Sequence, residues 1–340
     1  MKINYLDYNI KIIYIIFFLL KMKTFILLIL FINYAFINLA RIPADYEIAP
    51  WHAWKQGAIT YSFDDGCPGQ LSSAIPTLNK YGLKATFNVV TNWVWNWSGW
   101  KQAAQNGHEI ASHTVSHVNL NSAGENELSQ SKQIIQQNVG QECVTLVYPN
   151  CVVGNKDVMK RHYISGRTCS GQLVSPNPRD MFEISSFIIG STGQYNSAQA
   201  LNNLANMAAQ QNKWAVYLIH GVNGDGGYSP VSSSVLDQHF SYVKQQDKWW
   251  VATFKDVSKY ILEANSLIIT ETGTGGSYIL DVSCQYQTSL TQLNVPVTIA
   301  RKVSCSNPSV TQNGSPIFSA PYNGKVIFDV IPGNKYTIKC

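Results

Sequence analysis

The feature that most constrains the fold is the regular alternation of short apolar runs with helical stretches between residue 57 and about residue 263. A strand followed by a helix and a second strand usually forms a βαβ unit, in which the two strands are parallel. So many units in one stretch predict an α/β fold closed into a distorted (β/α) barrel of about seven strands. The predicted strands are Ala58–Phe63, Lys84–Thr91, Glu109–Ser112, Cys143–Tyr148, Phe182–Ile189, Trp214–His220 and Trp249–Thr253. The predicted helices are Gly69–Tyr81, Gly99–Asn106, Glu125–Asn138, Ala198–Gln211, Ser234–Gln246 and Lys255–Ala264.

The pattern changes after Asn265, where strand-like runs continue without any helical periodicity between them. Gly, Pro, Ser and Asn separate these runs, which is typical of a small antiparallel sandwich. The predicted strands are Leu267–Thr272, Tyr278–Cys284, Val295–Arg301, Lys325–Val330 and Tyr336–Lys339. We therefore predict a barrel domain over residues 41–264 and an all-β, sandwich-like accessory domain over residues 265–340.

Residues 1–40 are strongly apolar, and we assign them to a targeting segment rather than to the fold. Read from Met22, this segment has a basic start, an apolar run and a small residue at Ala40, the layout of a secretory signal peptide. A signal anchor is the alternative, but Lys21 and Lys23 interrupt the apolar stretch that would have to cross the bilayer. We expect the protein to be secreted, or else held at the membrane by this segment.

The positions of the cysteines indicate in which parts of the chain disulfides form. All seven cysteines follow residue 40, four before residue 200 and three after residue 280. In an oxidising compartment we expect disulfides within each group, with one thiol left over in the second group.

Only 13% of the residues are charged, and the net charge of +5 is spread along the chain. Because there is no basic cluster, the sequence argues against nucleic acid as a partner. No required protein partner is evident, and the weakly charged composition suits uncharged polymers.

Three predicted strands end in side chains that can do chemistry, and barrel folds place their active sites at such strand ends. The first strand ends in Asp64 and Asp65, the third runs into His113 and His117, and another ends at His220. Each has an ordinary structural explanation when taken alone: a solvated Asp–Gly turn, two histidines spaced by chance, and a histidine bound to backbone. Their joint occurrence favours a site that combines a metal ion with an acid–base pair.

Asp65, His113 and His117 are the candidate metal ligands. Two histidines four residues apart meet on one face of a helical turn, a spacing by which imidazoles share a metal. Asp65 completes a His-His-carboxylate set, which suits one divalent ion, Zn²⁺, Co²⁺ or another borderline ion, and leaves coordination positions open for water.

Tryptophans crowd the loop after the second strand, which also opens on the active face of the barrel. Indole rings offer flat apolar faces to sugar rings. The alternating positions of Trp93, Trp95 and Trp97 would put all three on one side of an extended segment. We expect at least one tryptophan of this loop to contact substrate, with Trp93 and Trp97 as the candidates, and the others to be structural.

The motifs YSFDDG, SHTVSH and YLIHG resemble the first, second and fifth motifs of the polysaccharide deacetylase family, the NodB-homology domain of carbohydrate esterase family four. The closing stretch WVATFKDVSKYI is similar to the last strand and helix of that family. The resemblance spans about residues 50–263. It implies that Asp64 is the general base, that Asp65, His113 and His117 bind the metal, and that His220 is the general acid.

The third motif of the family is usually an arginine, any one residue, proline, an aromatic residue and glycine. It corresponds to Val147-Tyr148-Pro149-Asn150-Cys151, which departs from the pattern. The resemblance places Pro149 and Asn150 beside the oxyanion, where the backbone N–H of Asn150 survives the change of side chain. It also implies that Leu218 lines an apolar pocket for the acetyl methyl group, although a strand leucine is equally a core residue.

Two partner residues of the family have no direct match in the motifs of this chain. Val147 stands where the family has the arginine that orients the base, so Arg167 or Arg179 is the candidate to replace it. For the acidic partner of the acid histidine, the only candidate is Asp180.

The resemblance implies a hydrolase that removes acetyl groups from an acetylated polysaccharide, with N-acetylglucosamine polymers such as chitin as the first candidate substrate. An esterase acting on acetylxylan is the alternative, because the chemistry is shared. A carbohydrate-binding protein without turnover is the second alternative, although binding alone requires no acid–base pair beside a metal.

Overall fold

The computed structural model describes residues 42–122 and 124–340, so the predicted targeting segment over residues 1–40 lies outside the described residues. The strands are β1 Tyr46–Ile48, β2 Gly57–Asp64, β3 Thr86–Val89, β4 Glu109–Ser112, β5 Thr145–Val147, β6 Ser165–Arg167, β7 Phe187–Ile188, β8 Trp214–Ile219, β9 Trp249–Val251, β10 Leu267–Thr272, β11 Ser277–Cys284, β12 Val297–Lys302, β13 Ser309–Gln312, β14 Ser315–Pro316, β15 Ser319–Tyr322, β16 Lys325–Val330 and β17 Lys335–Lys339. The α-helices are α1 Ile75–Lys80, α2 Trp97–Gln105, α3 Asn126–Val139, α4 Lys156–Met159, α5 Ala198–Gln210, α6 Ser233–Gln246 and α7 Phe254–Ala264.

Parallel strands β2 to β9 form one curled sheet, which confirms the predicted distorted barrel. Its order is β6-β5-β4-β3-β2-β8-β7, and β9 pairs with the start of β2. All eight residues of the central strand β2 are buried, as expected of a strand covered on both faces. A single parallel bridge between Arg167 and Ile184 connects the two edges of the sheet, so the barrel closes irregularly.

The barrel differs from the prediction at β6. The prediction contained no strand between residues 148 and 182, whereas Ser165–Arg167 pairs in parallel with β5. This segment reads Ser-Gly-Arg and has no apolar run, so hydrophobic periodicity gives no signal there. Conversely, the predicted strand Phe182–Ile189 shrinks to Phe187–Ile188.

The C-terminal strands form two antiparallel sheets that pack face to face, as predicted. Their orders are β1-β12-β16-β15 and β10-β11-β17-β13-β14. Apolar side chains of both sheets meet in one buried cluster, with Ile299 and Phe328 from the first sheet and Leu280 and Ile338 from the second. The prediction did not include β1, which lies within the expected barrel range but pairs with β12. The division of the chain at residue 265 stays a prediction.

Two disulfides occur among the described residues, Cys151–Cys169 and Cys305–Cys340. Cys284 is the unpaired thiol expected in the second group. The expectation for the first group was wrong in part, because Cys67 and Cys143 are free and buried in separate parts of the barrel. No helix in the described part of the chain has the length and apolar character needed to cross a membrane.

Candidate active site

The carboxyl ends of the barrel strands surround a cavity of about 440 Å³. Both aspartates of the first motif, both histidines of the second and His220 line it together. The complete lining is Asp64, Asp65, His113, His117, Tyr148, Asn150, Cys151, Ile188, Leu218, His220 and Tyr228. The fold therefore brings residues more than 150 positions apart in the sequence to one cavity.

Asp64 and Asp65 have different surroundings although they are adjacent. Asp64 is the last residue of β2 and is only 3% exposed. Asp65 and Gly66 follow with positive φ angles of 72° and 69°, a tight turn that Gly66 adopts without strain. This turn lets both carboxylates face the same cavity, whereas two neighbours in a regular strand would point to opposite faces.

The two histidines meet through a loop rather than through the helical turn that we predicted. Residues 113–117 are not helical, and Thr114 and His117 have positive φ angles of 68° and 59°. Nevertheless the two imidazole rings lie 4.7 Å apart, centroid to centroid, at an angle of 80°. The spacing therefore predicted that the two imidazoles lie close together, but the helical turn that we expected between them was wrong.

Glu127, in the first turn of α3, holds this loop from behind. Its carboxylate accepts hydrogen bonds from the backbone N–H groups of Val115 and Ser116, at 2.9 and 3.0 Å, and from the Ser116 hydroxyl at 2.7 Å. Three donors satisfy one carboxylate, so the loop between the two histidines has a fixed shape. Sequence reasoning missed Glu127, because an acidic residue at a helix start has an ordinary explanation in the helix dipole.

Asp65, His113 and His117 fit one divalent cation. The Asp65 Oδ1 atom lies 3.4 Å from His113 Nε2 and 3.7 Å from His117 Nε2. This oxygen is buried and has no hydrogen-bond partner, which is costly unless a cation satisfies it. The Nδ1–H of His113 donates to the Val147 carbonyl at 3.0 Å, which leaves the Nε2 lone pair facing the aspartate. Among the described residues these three form the one acidic and imidazole group with ligand spacing.

The electrostatics of Asp65 and His117 favour the forms that bind metals. Burial alone would raise the pKa of Asp65, but its contact with His113 and the charges of His113, His220 and His117 leave that pKa below its usual value. Burial, followed by the charge of His113, lowers the pKa of His117. An ionised carboxylate and neutral imidazoles are the species that ligate a cation.

Asp64 is held by two partners that leave it no freedom to turn. The guanidinium of Arg167 donates to its Oδ2 atom, and the Asn88 amide donates to its Oδ1 atom at 2.9 Å. Asn88 is the register neighbour of Asp64 on β3, so strand pairing itself places this amide. A polar residue within the buried run Thr86–Val89 was the signal that could have identified Asn88.

Arg167 provides the guanidinium that the third motif of this chain lacks. It is 2% exposed and its NH1 atom donates to the Ser186 hydroxyl at 2.9 Å. The sequence offered Arg167 and Arg179 as candidates to replace the motif arginine, and Arg179 is exposed on the surface. The guanidinium that contacts the candidate base therefore comes from β6, one strand after the motif that carries it in the family.

His220 follows β8 and faces the same cavity. The Gln70 amide donates to the backbone carbonyls of Asp64 and His220, at 2.6 and 3.0 Å, and so ties the ends of β2 and β8 together. Burial lowers the pKa of His220, although the charges of Asp64 and Asp65 oppose this shift. The Tyr228 ring lies nearly perpendicular to the imidazole, with centroids 5.1 Å apart.

The sequence-based hypothesis for an acidic partner of His220 was wrong. Asp180 accepts from Lys156 Nζ at 2.7 Å and from the Phe182 N–H at 2.8 Å, in a separate ion pair away from the cavity. The Nδ1 atom of His220 is buried and has no hydrogen-bond partner.

The loop after β5 brings Asn150 to the cavity but turns its side chain away. Pro149 is buried, whereas Asn150 is exposed and donates from its amide to Asn119 Oδ1 at 2.9 Å. Leu218 lines the cavity beside Ile188, its register neighbour, so it is both a strand residue and a wall of the site.

The tryptophans do not share one extended segment. Trp93 ends a short 3₁₀ turn, is 51% exposed, and stacks on His117 with centroids 5.1 Å apart. Trp97 begins α2 and packs against the barrel core, outside the cavity lining, and Trp100 is fully buried. Trp95 is 64% exposed on the same loop.

Comparison with known proteins finds a family match over the first half of the barrel. Residues 53–162 match the model of the polysaccharide deacetylase family. Over 304 residues, 80% of this chain, the sequence is 24% identical to a gellan lyase of Bacillus sp.. Over 104 residues it is 30% identical to the YxkH protein of Bacillus subtilis (strain 168), whose own assignment as a polysaccharide deacetylase is provisional. These matches span only 12% and 37% of the two relatives.

Solved structures with a similar chain path include two that are about one-fifth identical in sequence. The Xyl-CE4 domain of a multidomain xylanase from the hindgut metagenome of Trinervitermes trinervoides gives a TM-score of 0.45 at 21% identity, over 59% of this chain and 89% of that one. A family 4 acetyl xylan esterase from Clostridium thermocellum, in complex with cobalt, gives 0.42 at 19% identity, over 59% and 89%. The family match therefore confirms the resemblance seen in the motifs over residues 53–162, the stretch that contains the aspartate and histidine pairs.

Proposed function

We propose that this chain is a secreted, metal-dependent deacetylase that hydrolyses N-acetyl groups of N-acetylglucosamine polymers such as chitin. The observation that carries the proposal is the arrangement of one cavity: three ligand groups spaced for a single cation, beside a fixed carboxylate and an imidazole. The two disulfides support secretion, because such bonds persist in oxidising compartments.

Asp65, His113 and His117 would hold the cation, Zn²⁺ or Co²⁺. When bound, a cation of this kind acidifies water and polarises a carbonyl group. The contribution of the chain is to aim the three ligands at one point. The Val147 carbonyl orients His113, and Glu127 fixes the loop that carries His117.

Asp64 would act as the general base that accepts the proton of the attacking water. Its two carboxylate oxygens are occupied by Arg167 and Asn88, so its orientation is set before substrate arrives. A positioned base of this type contributes about 10²–10⁴-fold to the rate.

His220 would act as the general acid that protonates the departing amine. Because burial lowers its pKa, its protonated form is a stronger acid than a free imidazolium and releases its proton more readily. The leaving nitrogen then departs neutral, and the acetyl group is released as acetate.

The remaining cavity residues suit an acetylated sugar. The backbone N–H of Asn150 would stabilise the developing oxyanion, and removal of one such donor commonly costs about 3–4 kcal/mol. Leu218 and Ile188 form an apolar wall for the acetyl methyl group. The half-exposed indole of Trp93 offers a face to a sugar ring beside His117.

Acetate release tests this proposal. The purified protein is assayed on acetylated chitooligosaccharides and on acetylxylan, after chelation and again after Zn²⁺ or Co²⁺ is restored. We expect acetate from the chitooligosaccharides, lost on chelation and regained with metal. Release from acetylxylan alone would replace the substrate with an O-acetyl ester, and no release from either substrate would favour a carbohydrate-binding protein.

A further inference from the structure

The loop that carries Asn150 and the strand that carries Arg167 lie side by side at the cavity. Strands β5 and β6 pair with Val147 opposite Arg167, and the Tyr148 N–H donates to the Arg167 carbonyl at 3.2 Å. The next residues leave the ladder, so regular strand pairing no longer fixes their separation. Asn150 therefore follows the point where the backbone connection to β6 ends.

The loop adopts a conformation that needs support. Asn150 and Cys151 have positive φ angles of 53° and 60°, and neither is glycine. Two successive side-chain-bearing residues in the left-handed region persist only where the surroundings impose that conformation. Cys151 itself lines the cavity.

The disulfide Cys151–Cys169 supplies that support at the position where the ladder ends. It joins Cα atoms 5.7 Å apart, and Cys169 lies two residues beyond Arg167 on the continuation of β6. That continuation is bound in turn to the segment before β7. Thr168 donates its N–H to the Ile184 carbonyl at 2.7 Å, and Ser186, the partner of Arg167, donates to the Thr168 carbonyl at 2.6 Å.

We propose that the Cys151–Cys169 disulfide is a positioning device that couples the Asn150 loop to the Arg167–Asp64 pair. The disulfide holds the backbone donor of Asn150 and the guanidinium of Arg167 in one fixed relation at this side of the cavity. One of its two cysteines, Cys151, belongs to the stretch in which this chain departs from the third family motif. The inference deepens the proposed function and rests on it.

The test compares two double variants, C151S/C169S and C305S/C340S. The second removes the disulfide of the C-terminal sheets, away from the cavity, and serves as the matched control. We expect C151S/C169S to lower kcat by about tenfold with KM and bound metal unchanged, because no metal ligand lies in the loop. C305S/C340S should keep the kcat of the parent protein. Equal losses of kcat in both variants, or no loss in the first, would overturn the inference.

A double-mutant cycle with Arg167→Lys separates positioning from a general loss of stability. If the disulfide acts through Arg167, removing it from the Arg167→Lys variant should lower kcat less than threefold, compared with about tenfold in the parent protein. A change below threefold is on the order of the deviation from additivity that independent substitutions show. Strict additivity of the two effects would contradict the coupling.

Hydrogen–deuterium exchange gives a readout that does not depend on activity. In C151S/C169S, the amides of Tyr148, of residues 150–152 and of residues 167–170 should exchange faster, while those of residues 113–117 should not. If the parent protein released no acetate, the proposed function would fail, and this exchange pattern would still decide the coupling. Unchanged exchange in both segments would overturn it.

Discussion

At the scale of single residues, the site depends on giving two adjacent aspartates different partners. Asp64 is satisfied by Arg167 and Asn88, whereas Asp65 has an unsatisfied oxygen beside two imidazoles. The first arrangement fixes a carboxylate without a cation, and the second suits a bound cation. The positive φ of Asp65 produces this difference, because it turns the second side chain toward the histidine loop.

The substitution Asp64→Asn tests this division of labour. It removes the basic oxygen but keeps the shape of the side chain, so we expect kcat to fall at least about 100-fold. Metal content should stay at the parent level, since Asp64 lies outside the proposed ligand set. Asp65→Asn is the matched comparison, which should lose metal and activity together. Elemental analysis and acetate release measure both, and an unchanged rate in Asp64→Asn would refute its assignment as the base.

At the scale of elements, what could be predicted depended on apolar periodicity. Long runs such as β2 and β8 were predicted, together with the histidine and aspartates at their ends. The three-residue strand β6 was not, because Ser165–Arg167 has no apolar pattern and is held by its neighbours. Arg167 could be named as a candidate from the missing motif arginine, but only the packing of the barrel selects it over Arg179. The loop of His117 was missed for a similar reason, since a side chain of α3 rather than local propensity shapes it.

The substitution Glu127→Ala tests the role of α3 in the candidate metal site. Removing the carboxylate frees the N–H groups of Val115 and Ser116, so the loop loses its fixed shape. We expect metal affinity to fall about 10–100-fold, the usual effect of losing an outer-shell partner. Glu125→Gln is the control, because Glu125 pairs with Arg161 and His162 instead. Metal titration of both variants gives the answer, and equal affinities would show that Glu127 has no part in the site.

At the scale of the whole molecule, helix α7 connects the barrel to the C-terminal sheets. Its Tyr260 lies in the buried cluster of those sheets and donates to the Ala49 carbonyl at 2.8 Å. One turn later, Glu263 is fully buried and accepts from the Val295 N–H at 3.1 Å. Burial raises the pKa of Glu263 to about 8, while the Val295 N–H and Lys259 act in the opposite direction.

This contact predicts a pH dependence of stability. The folded protein binds the Glu263 proton more tightly than the unfolded chain, whose glutamates titrate near pH 4.3, so ionisation favours unfolding. The stabilisation is complete below about pH 4 and is lost as the pH rises to about 8. We expect the loss to be on the order of a few kcal/mol. Urea unfolding at pH 5 and pH 8 measures it, and Glu263→Gln should remove this part of the difference. A difference that persists fully in Glu263→Gln would assign the effect to other groups.

Metal stoichiometry is the most direct test of the account, because every proposed role depends on a cation at Asp65, His113 and His117. Zn²⁺ or Co²⁺ is titrated calorimetrically into the metal-free protein and into Asp65→Ala. The account predicts one ion per chain in the parent protein and loss of that binding in the variant. Binding of equal strength in both proteins, or no binding in the parent, would contradict it.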